Sequence, residues 1–427
     1  MPTPATTALA ATGTTTGTTT GTTTDATTDA TTEVPVLDPD RAVAAAGRLA
    51  AEHALGAAER DAHRVLPVRE VDEVTRSGLL AITVPRAHGG ADLPVATVAE
   101  VFRVLAAGDP NVAQIPHSHF VYVNALRHRG SDQQQAFFFR EVLRGRRFGN
   151  AQSETRSRHV RDHATTLHPG GSGGSGGWRL QGEKGYCTGA LLADWIPVMA
   201  HLGVDGPLHV AWVHRDADGV TVLDDWDGLG QRTTGSGTVL LEDVAVPEER
   251  VMPAMSWDAP QTYGAFAQVL HAAIDAGIAR AALDAAGEFV AMRSRPYPDA
   301  GVERAAEDPL VVQALGEMDL QVRGAEALLA EGARAVDRAD AGLTAASAGA
   351  ASLAVAAARA ATARAAVDVS SRLFEVCGTR SALAALNLDR HWRNARTHTL
   401  HDPTAWKVQH LGRHAVDGTL PPGHGQL

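Results

Sequence analysis

The spacing of apolar residues changes twice along the chain, and this restricts the possible folds more than any other feature of the sequence. Apolar side chains first recur at helical intervals, then alternate with other residues as in β-strands, and finally return to helical intervals. We therefore predict an α+β protein with an N-terminal helical domain over residues 37–147, a middle β domain over 148–260 and a C-terminal helical bundle over 261–427.

The middle region shows the alternation that is typical of half-buried strands. Leu208, Val210 and Trp212 are separated by single residues, and a run rich in apolar and β-branched residues covers 239–246. The dipeptide Asp218-Gly219 is typical of a hairpin turn. We expect short paired strands throughout this region.

The C-terminal region shows the spacing of long helices. Phe266, Leu270, Ile274 and Ile278 lie four residues apart, which places them on one face of a helix. Further helices are predicted over 310–329 and over the alanine-rich stretch 345–374. Small alanine side chains allow neighbouring helices to approach closely.

The first 36 residues differ from the rest in composition. Residues 2–33 are mainly Thr, Gly and Ala, and GTTT occurs three times between Gly13 and Thr24. A segment with so few apolar side chains cannot bury enough surface to offset the entropy lost on ordering. We predict that residues 1–36 form a disordered tail.

Charge and cysteine content exclude several classes of protein. The formal net charge is −11, which does not attract nucleic acid or anionic membranes. Cys187 and Cys377 lie far apart and fit neither a disulfide framework nor a zinc site. No apolar stretch reaches the ~18 residues of a membrane span, and the N-terminus lacks a secretion signal. We therefore expect a cytoplasmic protein with no nucleic-acid or membrane partner.

A glycine-rich run resembles a nucleotide-binding motif only by its letters. Gly171 to Gly176 fits the GxGxxG pattern, but we predict no strand before it, and the strand-like residues 178–180 follow it where a helix is required. The run is therefore interpreted as a hairpin loop, and we predict no nicotinamide site in the chain.

Two histidine pairs are candidates for chemistry. His117 and His119 occur in IPHSHF, and His398 and His401 occur in RTHTLHDP, directly before Asp402. Any of these could be an ordinary surface or core histidine. Neither pair has the ExxH spacing of di-iron helical bundles, and we predict no metal site.

Five segments, taken in order and spacing, resemble the acyl-CoA dehydrogenase family. They are PRAHGG, GNAQSE, GEKGYCTGALLADWI, WDGLGQRTTGSGTVLLEDVAVP and RHWRNARTHTLHDPTAWK. The resemblance covers roughly residues 37–427 and is closest to the branch of sulfur-acquisition oxidoreductases and dibenzothiophene monooxygenase-like enzymes. It implies a homotetramer whose subunits have a helical N-terminal domain, a middle β-barrel domain and a C-terminal four-helix bundle.

The resemblance also implies an activity. In this branch a separate reductase delivers reduced FMN, which reacts with molecular oxygen to give a flavin C4a-hydroperoxide and oxygenates a small, sulfur-containing substrate. Two alternatives remain open. The first is an FAD-dependent acyl-CoA dehydrogenase that uses Asp402 as its base, although an aspartate there is one methylene shorter than the family's usual glutamate. The second is a catalytically silent flavin-binding scaffold.

The same resemblance assigns expected roles to individual residues. His119, His401 and, with less support, His398 are expected to form hydrogen bonds to the reacting oxygen atoms, beside Asp402. The flavin ring is expected to be lined by Asn150, Ser153, Thr188 and Trp195. The flavin phosphate is expected to be held by Arg293 and Arg295, with Arg380, which follows Gly378 and Thr379, as a further candidate that reaches a neighbouring subunit.

Overall fold

A computed structural model describes residues 33–159, 162–170 and 176–424. The predicted tail lies outside the described residues apart from its last four positions. The glycine-rich run 171–176 also lies outside them, except for Gly176.

Six helices form the N-terminal region. Asp38 begins the first helix by accepting a hydrogen bond from the Arg41 amide at 2.8 Å, and Ser131 begins the sixth with a reciprocal capping box to Gln134. The helices are α1 Pro39–His63, α2 Val68–Arg76, α3 Val95–Gly108, α4 Pro110–Gln114, α5 His117–Arg129 and α6 Asp132–Leu143.

The described residues of the middle region contain seven strands, which form one sheet in the spatial order β5-β6-β2-β1-β3-β4-β7. Neighbouring strands are antiparallel except for β1 and β3, which are parallel. The strands are β1 Thr166–Pro169, β2 Trp178–Lys184, β3 Trp195–Leu202, β4 Leu208–His214, β5 Val220–Val222, β6 Val239–Val246 and β7 Val251–Pro253.

Two local predictions for this sheet are wrong. A strand, β1, does precede the glycine-rich run, and it pairs antiparallel with β2, so the run joins a hairpin. No helix follows it, which keeps the nucleotide interpretation excluded. Asp218-Gly219 does not close a hairpin, because the strand after it, β5, pairs with β6 instead of β4.

Five α-helices occur in the described part of the C-terminal region, and most residues of the first of them are buried. This helix, α7, packs against α3 of the N-terminal region and against the two long helices that follow it. The contact with α3 is so close that a Cβ atom at Gly277 would lie 2.5 Å from the Arg103 carbonyl oxygen. The helices are α7 Tyr263–Met292, α8 Pro309–Ala341, α9 Ala345–Cys377, α10 Asp389–His398 and α11 Thr404–Asp417.

One apolar core joins the two helical regions, since buried side chains of α1, α3, α7, α8 and α9 belong to a single cluster. The sheet has a second core of its own. Within the described part of the chain, no helix combines the length and the apolar character needed to cross a membrane.

Candidate active site

Four histidines meet where α5, α7, α10 and the connection to α11 come together. His117 begins α5, His271 lies in α7, His398 ends α10 and His401 follows it. The ring centroid of His271 lies 3.8 Å from that of His117, 5.1 Å from that of His398 and 4.0 Å from that of His401. We call these four residues the histidine site.

A buried carboxylate on α7, that of Asp275, orients the ring of His398. His271 and Asp275 are four residues apart and therefore lie on one face of the helix. His398 Nδ1 lies 2.6 Å from Asp275 Oδ1, and the other carboxylate oxygen of Asp275 accepts a hydrogen bond from the Arg359 guanidinium on α9. Asp275 is fully buried and Arg359 is 2% exposed, so this ion pair is shielded from water.

Burial keeps the inner histidines uncharged. It lowers the pKa of His117 to about 3, although a hydrogen bond to the Ala267 carbonyl favours the protonated ring. Burial also holds the pKa of His271 well below its ordinary value and lowers that of His398. His401 differs from these rings because half of its side chain is exposed. His117, His271 and His398 are therefore neutral imidazoles at neutral pH.

Asp402 lies beside the histidine site and is held by three neighbours. Its carboxylate lies 2.7 Å from Lys407 Nζ, 3.2 Å from His401 Nδ1 and 3.6 Å from an Arg359 nitrogen. Burial alone would raise the pKa of this carboxyl, but the hydrogen bond from His401 and the charges of Arg359 and Lys407 hold it well below its usual range.

His119 lies outside the histidine site, contrary to its expected role. Its Nε2 donates to the Leu80 carbonyl at 2.9 Å, and its Nδ1 accepts from the Phe148 amide at 3.1 Å. With both ring nitrogens bonded to the main chain, His119 has no nitrogen available for a flavin oxygen. It connects α5 to the start of the sheet.

The expected flavin-lining residues do not all face the same way. Asn150 donates to the Tyr186 carbonyl at 3.2 Å, the Ser153 carbonyl accepts from the Gly185 amide, and the Thr188 hydroxyl bonds the Ser236 hydroxyl at 2.7 Å. Asn150 and Ser153 precede β1, and Thr188 lies between β2 and β3. Trp195 instead packs on α6, where its indole N–H donates to Glu141 at 3.1 Å and its ring contacts Phe137.

Several expected phosphate-binding residues meet at the other end of α7. Arg380 donates to the Arg293 carbonyl at 3.0 Å, and the side chains of Arg293, Arg295 and Arg380 are exposed, as are Gly378 and Thr379. The separation between positions 275 and 293 corresponds to roughly 27 Å along the axis of α7. Within one subunit these arginines therefore lie far from the histidine site.

Some residues of this region were not predicted from the sequence. His271 and Asp275 lie in a helix that is apolar on nearly every side, and Arg359 lies in an alanine-rich helix. A charged residue inside such a helix is the signal that could have identified them, because a buried charge requires a partner. Lys407 is a further example, since it is the buried residue of α11.

The junction between the sheet and α10 fits a polar, planar ligand such as FMN. The side-chain amide nitrogen and oxygen of Gln231 and the Thr233 hydroxyl are buried without hydrogen-bond partners. Each such group costs about 1–3 kcal/mol unless a ligand or water satisfies it. The main-chain N–H of Gln231 donates to the side-chain oxygen of Asn394 on α10. Asn394 lies one turn before His398, so these groups adjoin the histidine site. Among the described residues, no cluster of acidic, histidine and cysteine side chains is suited to a metal ion.

This arrangement defines a protein with two helical regions around a sheet and a site at their junction, and comparison with known families agrees. Two family models match the chain: acyl-CoA dehydrogenase, N-terminal domain, over residues 40–146, and acyl-CoA dehydrogenase, C-terminal domain, over residues 269–406. The chain belongs to the acyl-CoA dehydrogenase family. The expected family is thereby confirmed, and so is the fold of an N-terminal helical domain, a middle sheet domain and a C-terminal helical domain. The expected barrel is wrong for the described strands, because β5 and β7 at the two edges of the sheet are not paired with each other.

Individual relatives are monooxygenases. Dibenzothiophene monooxygenase from Rhodococcus qingshengii is 33% identical over 401 residues, which cover 89% of this chain and 94% of that protein. The probable FMNH2-dependent monooxygenase SfnC from Pseudomonas putida is 32% identical over 400 residues, which cover 91% and 98%. The crystal structure of FMN-bound TdsC from Paenibacillus sp. A11-2 is similar with a TM-score of 0.85 and 31% identity, covering 91% of this chain and all of that chain.

Proposed function

We propose that this protein is a monooxygenase that uses reduced FMN from a separate flavin reductase to oxygenate a small, sulfur-containing organic molecule. The observation that carries the proposal is the state of Asp402, the position of the family's base. Its carboxylate is already bound by Lys407 and Arg359, and four imidazoles lie beside it. The names of the relatives support oxygen chemistry and reduced FMN.

The acyl-CoA dehydrogenase alternative requires Asp402 to take a proton from a carbon atom. A carboxylate whose pKa is held far below its usual range by two cations is a poor base for that step. The scaffold alternative predicts flavin binding without oxygenation. Neither alternative explains why three neutral histidines are buried in one place.

FMN would lie between the sheet and the C-terminal helices. We propose that Asn150, Ser153 and Thr188 contact its ring, together with the unpaired amide of Gln231 and hydroxyl of Thr233. When bound, reduced FMN supplies the electrons and the oxygen-activating ring. The chain's own share is to exclude water and to offer ring nitrogens, and the ring of His401 belongs to a half-exposed side chain.

The phosphate of the same FMN is proposed to be held by a neighbouring subunit. Arg293 and Arg295 follow the end of α7, and Arg380 contacts Arg293 from the segment after α9, which also contains Gly378 and Thr379. This end of α7 is too far from the histidine site for these residues to reach a flavin ring there in their own chain. A guanidinium matches phosphate oxygens well, and a homotetramer would bring these arginines to another subunit's site. We also propose a cytoplasmic location, where FMN reductases and reduced thiols such as Cys187 and Cys377 are maintained.

The proposal is tested by titrating the protein with reduced FMN and with reduced FAD in the absence of oxygen. Oxygenated buffer containing a thioether or thiophene is then mixed in, and flavin absorbance and sulfoxide are measured. We expect preferential binding of reduced FMN and sulfoxide formation that His401→Ala abolishes. Oxidation of an acyl-CoA with FAD bound and without oxygen would instead support the dehydrogenase. Flavin binding with hydrogen peroxide as the sole product, for every sulfur compound tried, would support the scaffold.

A further inference from the structure

The buried pair Asp275–Arg359 adjoins the histidine site without being an expected part of it. Asp275 accepts from Arg359 with one carboxylate oxygen and from His398 Nδ1 with the other, at 2.6 Å in the second case. We propose that Asp275 and Arg359 are positioning residues that fix which ring nitrogen of His398, and through it of His271, carries a proton. This inference rests on the function proposed above.

The hydrogen bonds determine the position of each proton. A carboxylate accepts but cannot donate, so His398 Nδ1 must be the N–H donor, and in the neutral ring Nε2 is then an acceptor. His271 Nδ1 lies 3.1 Å from that acceptor and must therefore donate. The unprotonated nitrogen of His271 is consequently Nε2. One carboxylate thus sets the tautomer of two imidazoles in series.

Two further contacts are compatible with this arrangement. The side-chain oxygen of Gln114 lies 3.1 Å from His398 Nε2, and two acceptors do not bond each other. A half-turn of the Gln114 amide presents its NH2 group to Nε2 instead. His117 has a tautomer of its own, because its Nε2 donates to the Ala267 carbonyl at 2.9 Å and Nδ1 is left unprotonated. The site therefore presents unprotonated nitrogens on more than one ring.

The charges around His398 come from each element packed against it. Asp275 on α7 raises its pKa, whereas burial, Arg359 on α9 and His401 after α10 lower it, and burial has the largest effect. His117 on α5 and His271 on α7 are uncharged at neutral pH, and Gln114 on α4 carries no charge. Asp402 and Lys407 lie beyond Arg359 and bind each other.

A fixed tautomer matters because oxygenation moves protons. Overall, reduced FMN contributes two electrons and two protons, one oxygen atom enters the substrate and the other leaves as water. An unprotonated ring nitrogen can accept a hydrogen bond or a proton from a molecule bound beside it, whereas the opposite tautomer presents an N–H group. Without Asp275, both tautomers of His398 and His271 would coexist and only part of the protein would be competent.

The tautomers can be measured without flavin. Protein labelled with nitrogen-15 histidine is studied by NMR at pH 7, and His271→Gln and His398→Gln variants assign the ring signals. We expect His398 and His271 to be protonated at Nδ1 alone, and His117 at Nε2 alone. Finding the proton of His398 on Nε2 in the unmutated protein would overturn the inference, even if Asp275→Asn did not fold.

Kinetics distinguish a positioning role from a merely structural one. In the FMN-loaded enzyme, Asp275→Asn is expected to slow product formation about 10²-fold or more. It should also shift the acidic limb of the pH profile to lower pH, because asparagine no longer raises the pKa of His398. The matched control is Glu326→Gln. It neutralises the carboxylate on α8 that accepts from Arg280 of α7 at 2.8 Å, and it should leave the rate and the pH profile unchanged.

The outcomes separate this inference from the proposed function. A folded Asp275→Asn protein with an unchanged pH profile would refute the positioning role while leaving the monooxygenase intact. An unmutated protein that shows the expected NMR tautomers but oxygenates no sulfur compound would refute the proposed function, and with it the kinetic part of the inference.

Discussion

For the rings of His117 and His119, desolvation outweighs the hydrogen bond to the main chain. His117 and His119 both donate to a main-chain carbonyl, which favours protonation, yet burial lowers their pKa values to about 3 and about 4. The sequence showed both as candidates but could not show which faces the other histidines. His117 faces them because it stacks on His271 of α7, and α7 begins more than 100 positions further along the chain.

His119 is predicted to make the protein sensitive to acid. Its folded-state pKa is about 4, below the ordinary value of about 6.5, so the unfolded chain takes up a proton first and stability is lost as pH falls between these values. His119→Gln should be less stable than the parent at pH 7, since two main-chain contacts are altered. Urea unfolding at pH 7 and pH 5 should then show a smaller loss on acidification in the variant. An equal loss in both proteins would contradict this role.

Asp402 is predicted to contribute to stability through its two cations. Asp402→Asn leaves Lys407 and Arg359 buried with less compensation, which typically costs about 3–5 kcal/mol. Because the folded-state pKa of Asp402 is lowered, its contribution is complete above the unfolded value of about 4 and declines as pH falls further. Denaturant unfolding at pH 7 and pH 3 should therefore show a difference from the parent that shrinks in acid.

The control for Asp402 is Glu331→Gln, at an exposed ion pair with Arg338. It should change the unfolding midpoint little at either pH, because solvent screens exposed pairs. If Asp402→Asn behaved like this control, the buried ion pairs around Asp402 would not be a stabilising feature.

At the scale of elements, the sequence predicted structure best where a helix or strand can be recognised from the spacing of its own residues. The helix that begins at Tyr263 and the strand 239–246 lie where their spacing indicated. The strand before the glycine-rich run was missed because β1 is four residues long, too short for an alternation to be recognised. The Asp218-Gly219 prediction was wrong because β5 finds its partner in β6, a contact that the turn residues do not encode.

The placement of α10 depends on a close contact with the loop before β6. The Gly230 amide donates to the Thr397 hydroxyl at 2.9 Å, and the Gln231 amide donates to the Asn394 side chain at 2.7 Å. A Cβ atom at Gly230 would lie 2.0 Å from the Arg393 carbonyl oxygen. Because α10 ends at His398, this loop helps to set the position of that ring.

Gly230→Ala is therefore predicted to displace α10 and weaken the site. We expect a reduced affinity for FMN and a slower oxygenation rate, both measurable by anaerobic titration and stopped-flow mixing. The control is Gly316→Ala in α8, where an added Cβ meets no atom within 4 Å. It should leave binding intact and, as a helix-interior change, stabilise the protein by about 0.5–1 kcal/mol. Equal FMN affinity in both variants would contradict this account of the loop.

At the scale of the whole molecule, the sequence divided the chain after the tail into three regions, and the structure joins them: the two helical regions share one apolar core, and α5, α6 and the sheet share another. The N-terminal and C-terminal helices share one core around α7, so they are not independent bodies. Periodicity identifies helices but not their neighbours, and the shared core could not be foreseen from it. For the same reason the sequence predicted Arg293, His398 and His401 for one flavin site but could not show how far apart they lie within a subunit.

Assembly of the flavin site from two subunits can be tested by complementation. His398→Ala and Arg293→Ala/Arg380→Ala proteins are each expected to be inactive, since each lacks one half of every site. Hybrids made by dissociation and reassembly should recover part of the activity, because some sites then combine intact histidines with intact arginines. Mixed proteins without recovery, or an active monomer in light-scattering measurements, would contradict the shared site.

The way in which Lys407 anchors α11 has a consequence for the C-terminal end of the described chain. Lys407 is the buried side chain of this helix, and it is held by Asp402 at 2.7 Å. An ion pair in a water-poor interior has no favourable half-separated state. The amide hydrogens of α11 are therefore expected to show one common opening free energy in deuterium exchange, as in a helix that detaches whole instead of fraying from its end.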